Sequence, residues 1–389
     1  MKQRSDALER AARIEAAPAI AALPASRPFV APEELARRVG RADLLRLGAN
    51  ESAFGPPPRA LAAMHAELVR TSYYGDPESL ALREVLAARH ACSPENITVG
   101  AGIDDLLGLV VRGYCAPGDV SVSTLGSYPT YVYHVLGFGA RLETVPYAAD
   151  GSVRLDALAA RARETRARLV YLANPDNPSG AFASRDAVAA LVAALPANCL
   201  LVLDEAYGDF VAPDELLPDV IDPRIVRMRT FSKAYGLAGA RIAYCIAPRE
   251  TIDTFAKIRS HFHVGRISQA GALAALDEFG FIASVVAEVA RGRAEYEAFA
   301  ARLALRTLPS RTNFVCIDIG SRDGAEAMVE ALLQLGIFVR KPGAPPLDGH
   351  IRVTVGTAND RLRFGEALGE ALPACEALAR SAKNARTPT

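Results

Sequence analysis

The chain has 389 residues, half of them hydrophobic, and its 44 basic and 44 acidic residues cancel. That length suits two domains with a large core, and the balanced charge argues against nucleic acid or an anionic membrane as the main partner. No apolar run approaches the ~20 residues that a membrane helix needs.

The N-terminal stretch MKQRSDALERAARIEAAPAIAALPA is rich in alanine, with acidic residues in its first half. It lacks the basic-then-apolar order of a signal peptide and reads as a helical arm on a cytoplasmic protein. From about residue 97 to 248, aliphatic and β-branched runs recur: NITVG, DVSVST, RLETVPY, RLVYLANP, CLLVLDEAY, RIVRMRTFS and RIAYCIAP. Most are separated by helical periodicity, as after Asp104 and from Ser184 to Ala194. Near-continuous apolar strands alternating with helices predict an α/β fold with a mainly parallel, seven-stranded sheet covered on both faces.

After Pro248 a long helical region is expected to about Leu305. RTNFVCIDI, a helix, GIFVRKPG, HIRVTVGT and a final helix then predict a smaller α/β unit. The segment before Pro56 has no strand series and is expected to pack with that unit. The expected division is a large domain over 57–275 and a small one built from 1–56 and 276–389. SAKNARTPT reads as a frayed tail. Cys92, Cys115, Cys199, Cys245, Cys316 and Cys375 are widely spaced, with no C-x-x-C and no adjacent histidine pair. Buried thiols are expected, not a metal site or disulfides.

In a parallel α/β sheet the ligand sits beyond the carboxyl ends of the strands. Those ends carry unusual residues here: GAGIDD after the first run, GSYPTY after the second, then NPDNPSG, then Asp204, Glu205 and Tyr207, then Ser232 and Lys233. GAGIDD has Asp105 where a dinucleotide fingerprint needs its third glycine, and LLVLDE has no accompanying phosphate loop of the nucleotide hydrolases. What remains of GAGIDD is a glycine turn at a helix start, whose free N–H groups can hold a phosphate.

Lys233 sits between two strand-like runs in TFSKAYGLAGAR, although only five of the 44 basic residues are lysine. Arginine cannot give up its proton in a protein, whereas a desolvated lysine can. An amine, a buried carboxylate, an Asn, a Tyr, a glycine helix start and Arg241 together suit pyridoxal 5'-phosphate. Asp204 would keep the ring nitrogen protonated. Lys233 would condense with the aldehyde and later act as base at the substrate Cα. Arg241, the Gly102 turn, the Ile103, Asp104 and Asp105 amides, and the Thr230 and Ser232 hydroxyls would hold the phosphate.

With these motifs, and with LGANESAFGPPP, YYGDP, NFV and IRVTVGT, the sequence from about Pro28 to Leu372 resembles the fold-type I aminotransferases, and most closely the histidinol-phosphate aminotransferase family. The resemblance implies a transaminase of histidine biosynthesis that moves nitrogen between a small-molecule amino donor and a 2-oxo acid such as 2-oxoglutarate. It implies that Tyr131 stacks on the pyridine ring and that Asn177 and Tyr207 meet its phenolic oxygen. Tyr74 would reach the cofactor phosphate of a second subunit in a homodimer. Asn50 and Glu51 would line the substrate mouth, Arg352 would clamp the substrate, and Arg340 would take a substrate phosphate. This chain departs from the family at Phe29, where a tyrosine is common, at Ser52-Ala53, and at Asp104-Asp105. Aromatic or other amino donors therefore stay open, as does decarboxylation on the same fold. A cofactor-binding sensor is disfavoured, because the N-terminal arm is too short and too balanced in charge for a DNA-binding module.

Overall fold

The computed structural model describes residues 14–25 and 30–385. In chain order the strands are β1 (Leu45–Arg46), β2 (Ile97–Gly100), β3 (Val120–Thr124), β4 (Arg141–Val145), β5 (Leu169–Ala173) and β6 (Leu200–Asp204). They continue with β7 (Ile225–Thr230), β8 (Ala243–Ile246), β9 (Arg306–Thr307), β10 (Phe314–Asp318), β11 (Ile337–Phe338) and β12 (His350–Thr354). Strands β2 to β8 form one seven-stranded sheet in the order β2-β8-β7-β6-β5-β3-β4. All run parallel except β8, which is antiparallel to β2 and β7. Each of these strands coincides with one of the seven apolar runs.

Alternate side chains of a strand point to opposite faces, and both faces of this sheet are buried. Val202, Tyr171 and Met228 pack on one side against Leu106, Leu109 and Val110 of the Ile103–Tyr114 helix. Leu201, Leu203 and Val170 pack on the other against Leu158 and Leu191. This double burial is why the strands read as unbroken apolar runs. Registers align Ala173 with Asp204 and Asp204 with Met228, so β5 and β6 end together and β7 runs two residues further along the same rim.

The smaller unit has a three-stranded antiparallel sheet in the order β12-β10-β9 and a parallel pair, β1 with β11. Its core gathers Phe314, Cys316, Ile351 and Val353 with Tyr296, Met328 and Phe364 from three covering helices. In the segment before Pro56, β1 pairs with β11, and Leu47 belongs to this core.

Two expectations change. The helical region after Pro248 is broken into Arg249–Ala256, Arg266–Ala275 and Phe279–Arg302. The last helix runs from Ala358 to Ala385, so the tail beginning at Ser381 is helical for its first residues. The N-terminal arm contains a short helix, Pro18–Ala21, that packs on the Pro129–Gly137 helix. The arm's first 13 residues and Phe29 lie outside the described residues. The six cysteines are unpaired thiols, with Cys245 and Cys316 fully buried. Among the described residues no single helix is long and apolar enough to cross a membrane.

Candidate active site

The rim of β5, β6 and β7 is where side chains leave the core. Asp204 ends β6 buried, with 5% exposure. Its Oδ2 accepts from the Tyr171 hydroxyl at 2.7 Å and its Oδ1 from the Ala206 amide at 3.0 Å. Burial pushes its carboxyl up to about 6, against the pull of those two hydrogen bonds. A carboxylate so placed is short of a cationic partner.

Lys233 follows β7 in a tight loop. The Gly236 amide donates to the Lys233 carbonyl at 3.0 Å, and the Leu237 amide to that of Phe231 at 2.9 Å. Gly236 has φ +66°, and a Cβ there would overlap the Gly55 carbonyl, so the turn requires glycine. Phe231 and Ala234 are fully buried on either side, which pins Lys233 between them with its amine at the rim. Its Nζ donates to the Asn50 carbonyl at 3.0 Å and lies 5.6 Å from the Tyr207 ring centroid. Burial first, then the Arg352 guanidinium, depresses the ammonium to about 8. An amine with that affinity for protons is both nucleophile and base near neutral pH.

Across the rim, Arg352 on β12 donates from Nη1 to Asn177 Oδ1 at 2.5 Å and from Nη2 to the Gly48 carbonyl at 3.1 Å. Its Nε is buried without a hydrogen-bond partner. The guanidinium stands over the Phe314 ring, 5.3 Å from its centroid, and Tyr207 meets the same ring edge-on at 5.4 Å. Because the Asn177 oxygen is taken by Arg352, its amide N–H groups remain as donors. Arg340 pairs with Arg352 through the backbone, and burial together with the Arg352 charge lowers its proton affinity. Two arginines on paired backbone make this side of the site positive.

The residues expected to hold a phosphate stand at the Gly102 turn and at the end of β7. Gly102, at φ +91°, caps the Ile103–Tyr114 helix, and any Cβ there would overlap Nη2 of Arg241. Arg241 itself holds φ +51° and lies 3.5 Å from Asp104 Oδ2. The Thr230 hydroxyl donates to Ser232 Oγ at 2.9 Å. The amides of a helix start with the Arg241 guanidinium beside them, and the two hydroxyls at the end of β7, form a donor set that fits a phosphate. Together with the amine and the buried carboxylate, these residues fit pyridoxal phosphate.

The structure moves several expected residues. Tyr131 does not face the rim. It lies on the inner side of the Pro129–Gly137 helix, fully buried, stacked on Tyr171 at 4.4 Å with its hydroxyl 2.5 Å from Ser121 Oγ. Tyr128, before that helix begins, is the half-buried tyrosine at the site and donates to Asp104 Oδ1 at 2.7 Å. The signal was present: Tyr131 and Val135 are four apart, the spacing of a buried helix face, while Tyr128 precedes the Pro129 helix start. Asn50 lines no open mouth, being 2% exposed and bonded to Tyr207 and Thr354. Glu51 is held by Arg46 through bonds of 2.8 and 3.1 Å, and Asp105 turns back to accept from the Ala101 amide. Tyr74 is 79% exposed, beside Phe262. Thr354, Asn313 and Tyr171 enter the site's supporting bonds without having been singled out.

A model of the aminotransferase class I and II family matches residues 42–368. The chain belongs to that family. It is 36% identical over 347 residues to histidinol-phosphate aminotransferase 2 of Pseudomonas aeruginosa, which covers 87% of this chain and 93% of that one. It is 37% identical over 365 residues to histidinol-phosphate aminotransferase 1 of Thiobacillus denitrificans, at 92% and 94% coverage. The crystal structure of histidinol-phosphate aminotransferase from Sinorhizobium meliloti in complex with pyridoxal-5'-phosphate matches with a TM-score of 0.89 at 44% identity, covering 94% of this chain and 99% of that one. This family member therefore shares fold and length with such aminotransferases.

Proposed function

We propose that this aminotransferase uses pyridoxal 5'-phosphate to take the amino group from a histidinol-phosphate-like donor and pass it to a 2-oxo acid such as 2-oxoglutarate. The observation that carries this is the Lys233 amine, depressed to about 8 and set at the rim with the Asp204 carboxylate and the Arg241–Gly102 cradle. When bound, the cofactor supplies an aldehyde for the donor nitrogen and a cationic ring that withdraws electrons from the donor Cα.

Each residue's part follows from its place. Asp204 holds the proton on the ring nitrogen, and that cation in turn relieves the cost of its own burial. Asn177 and Tyr207 would donate hydrogen bonds to the phenolic oxygen. Tyr128, rather than Tyr131, covers the ring. The Ile103, Asp104 and Asp105 amides, Thr230, Ser232 and Arg241 hold the phosphate. Lys233 Nζ carries the proton away from the donor Cα. Arg352 binds the donor's carboxylate-side group or the acceptor's carboxylate through its guanidinium fork. Arg340 beside it supports a donor that carries a phosphate. Glu51 stands at the outer edge of the site. We also read the cofactor-binding unit as 57–275, with 1–56 and 276–389 forming the second. The protein is read as a cytoplasmic homodimer in which Tyr74 reaches the other subunit's phosphate.

The test is spectroscopic. Protein saturated with pyridoxal phosphate is expected to turn yellow, and borohydride should then fix the cofactor on Lys233. Added glutamate should shift the band to that of the pyridoxamine form, and histidinol phosphate should do so at lower concentration than aromatic amino acids. Colourless protein without adduct overturns the cofactor assignment. Release of CO₂ without the shift replaces transamination by decarboxylation.

A further inference from the structure

Asn50 is strained and buried, with φ +53° and 2% exposure, and every polar atom it has is used. Its amide N donates to Thr354 Oγ1 at 3.0 Å, and the Thr354 hydroxyl donates to Asn50 Oδ1 at 3.2 Å. In this arrangement the Thr354 hydroxyl accepts from the backbone and spends its single proton on Oδ1, which turns the amide oxygen of the side chain toward β12. Its Nδ2 then faces Tyr207, to whose hydroxyl oxygen it donates at 2.8 Å. The phenol accepts in that bond and keeps its own proton for the site. The carbonyl of the same Asn50 accepts from Lys233 Nζ at 3.0 Å and from Asn313 Nδ2 at 3.1 Å.

We propose that Thr354 is a positioning residue for the reaction, setting through Asn50 both the direction of the Lys233 amine and the proton of Tyr207. Thr354 is 1% exposed at the end of β12 and is hydrogen-bonded to neither residue directly. With one N–H engaged by the Asn50 carbonyl, the lone pair of the neutral amine is confined to the two remaining staggered positions about Cε–Nζ. The other groups that act on the amine are Arg352, Glu51, Asp204 and Arg241, with the Tyr207 ring beside it. Thr354→Val removes none of them and keeps the side-chain shape, so its effect reports on the Asn50 link. The inference rests on Lys233 being the reactive amine, and its first measurement needs no cofactor.

In cofactor-free protein, the pH dependence of Lys233 modification by trinitrobenzenesulfonate, read by peptide mass, gives the amine's midpoint. Loosening the carbonyl acceptor withdraws support from the ammonium, so Thr354→Val is expected to lower that midpoint by about half to one pH unit, and Thr354→Ser to restore it. In loaded enzyme, kcat should fall about tenfold in Thr354→Val with KM changed less than about twofold, again restored by serine. Asn50→Gly keeps the left-handed backbone but cuts both side-chain bonds, and it carries the same expectation if the valine variant does not fold. A wild-type midpoint in Thr354→Val, or in Asn50→Gly should the valine variant not fold, or a serine variant that behaves like valine, overturns the proposal. Failure of borohydride to trap the cofactor at Lys233 overturns the functional reading instead.

Discussion

The Lys233 ammonium costs the cofactor-free fold stability at neutral pH. Its folded proton affinity, about 8, lies below the ordinary 10.5. Between those values the unfolded chain binds a proton that the folded chain refuses. Stability is therefore greatest above about 10.5 and is lost as pH falls through about 8. Cofactor-free Lys233→Met should be more stable than wild type at pH 7, by on the order of 2 kcal/mol. The gap should close as pH rises towards 10.5. Melts of both proteins across that range check this, and an equal gap at both ends would contradict it. The two tyrosines of YPTY separate in the same way by environment. Tyr131→Ala should cost about 3–5 kcal/mol of stability, as for other large aromatic truncations in a core, and leave cofactor affinity nearly unchanged. Tyr128→Ala should leave the melt nearly unchanged and weaken cofactor binding about tenfold. Denaturant unfolding and cofactor titration read the two effects separately, and the opposite pattern would return the stacking role to Tyr131.

At the scale of the element, the Asp-Glu pair at the end of β6 shows what strand alternation does. Asp204 turns to the rim, and Glu205, one residue on, turns to the other side. There it is 2% exposed and receives both ends of the Arg227 fork at 3.1 Å, with Arg229 Nε also at 3.1 Å. Asp219 joins Arg227 at 2.8 Å and is met by His90 at 3.0 Å. Removing Glu205 leaves two buried guanidiniums facing each other. Glu205→Ala is expected to lose about 3–5 kcal/mol of stability, measured by denaturant unfolding. A loss below about 1 kcal/mol would mean the cluster is solvated. The charges at 227 and 229 are legible in RIVRMRT, but the sequence does not say that a carboxylate from the next strand answers them. The direction of β8 was more readable. Only TFSKAYGLAGAR and a few flanking residues join β7 to β8, with no crossover helix, and a short link without one favours antiparallel pairing.

In the whole molecule, the site joins the large sheet to the smaller unit. Lys233, Asp204 and Tyr207 come from the sheet's rim, while Asn50, Asn313, Arg352 and Thr354 come from β12 and its neighbours. Tyr74 stands outward with Leu68, Val69 and Tyr73, all at least half exposed in one chain. That exposure is what a second copy would cover. The particle should therefore have twice the 41.3 kDa chain mass. Tyr74→Ala and Lys233→Ala should each be nearly inactive alone. After unfolding and refolding together they should regain roughly a quarter of wild-type activity, because about half the dimers then pair one of each and hold one complete site. No recovery on mixing, with dimers formed, would place the Tyr74 hydroxyl in its own subunit or outside the site.

The sequence by itself determined the strands of the large sheet and pointed to their rim, with its amine, carboxylate and glycine turn, as the candidate site. Those signals are local: an apolar run, a glycine turn, a lysine where arginine prevails. Only the tertiary structure decided which tyrosine meets the site, that Asn50 is a buried support, and that Thr354 anchors it. Asn50 and Thr354 are 304 positions apart in the chain. A hydrogen bond across that separation exists only after both units have packed, and no spacing or composition along the chain records it.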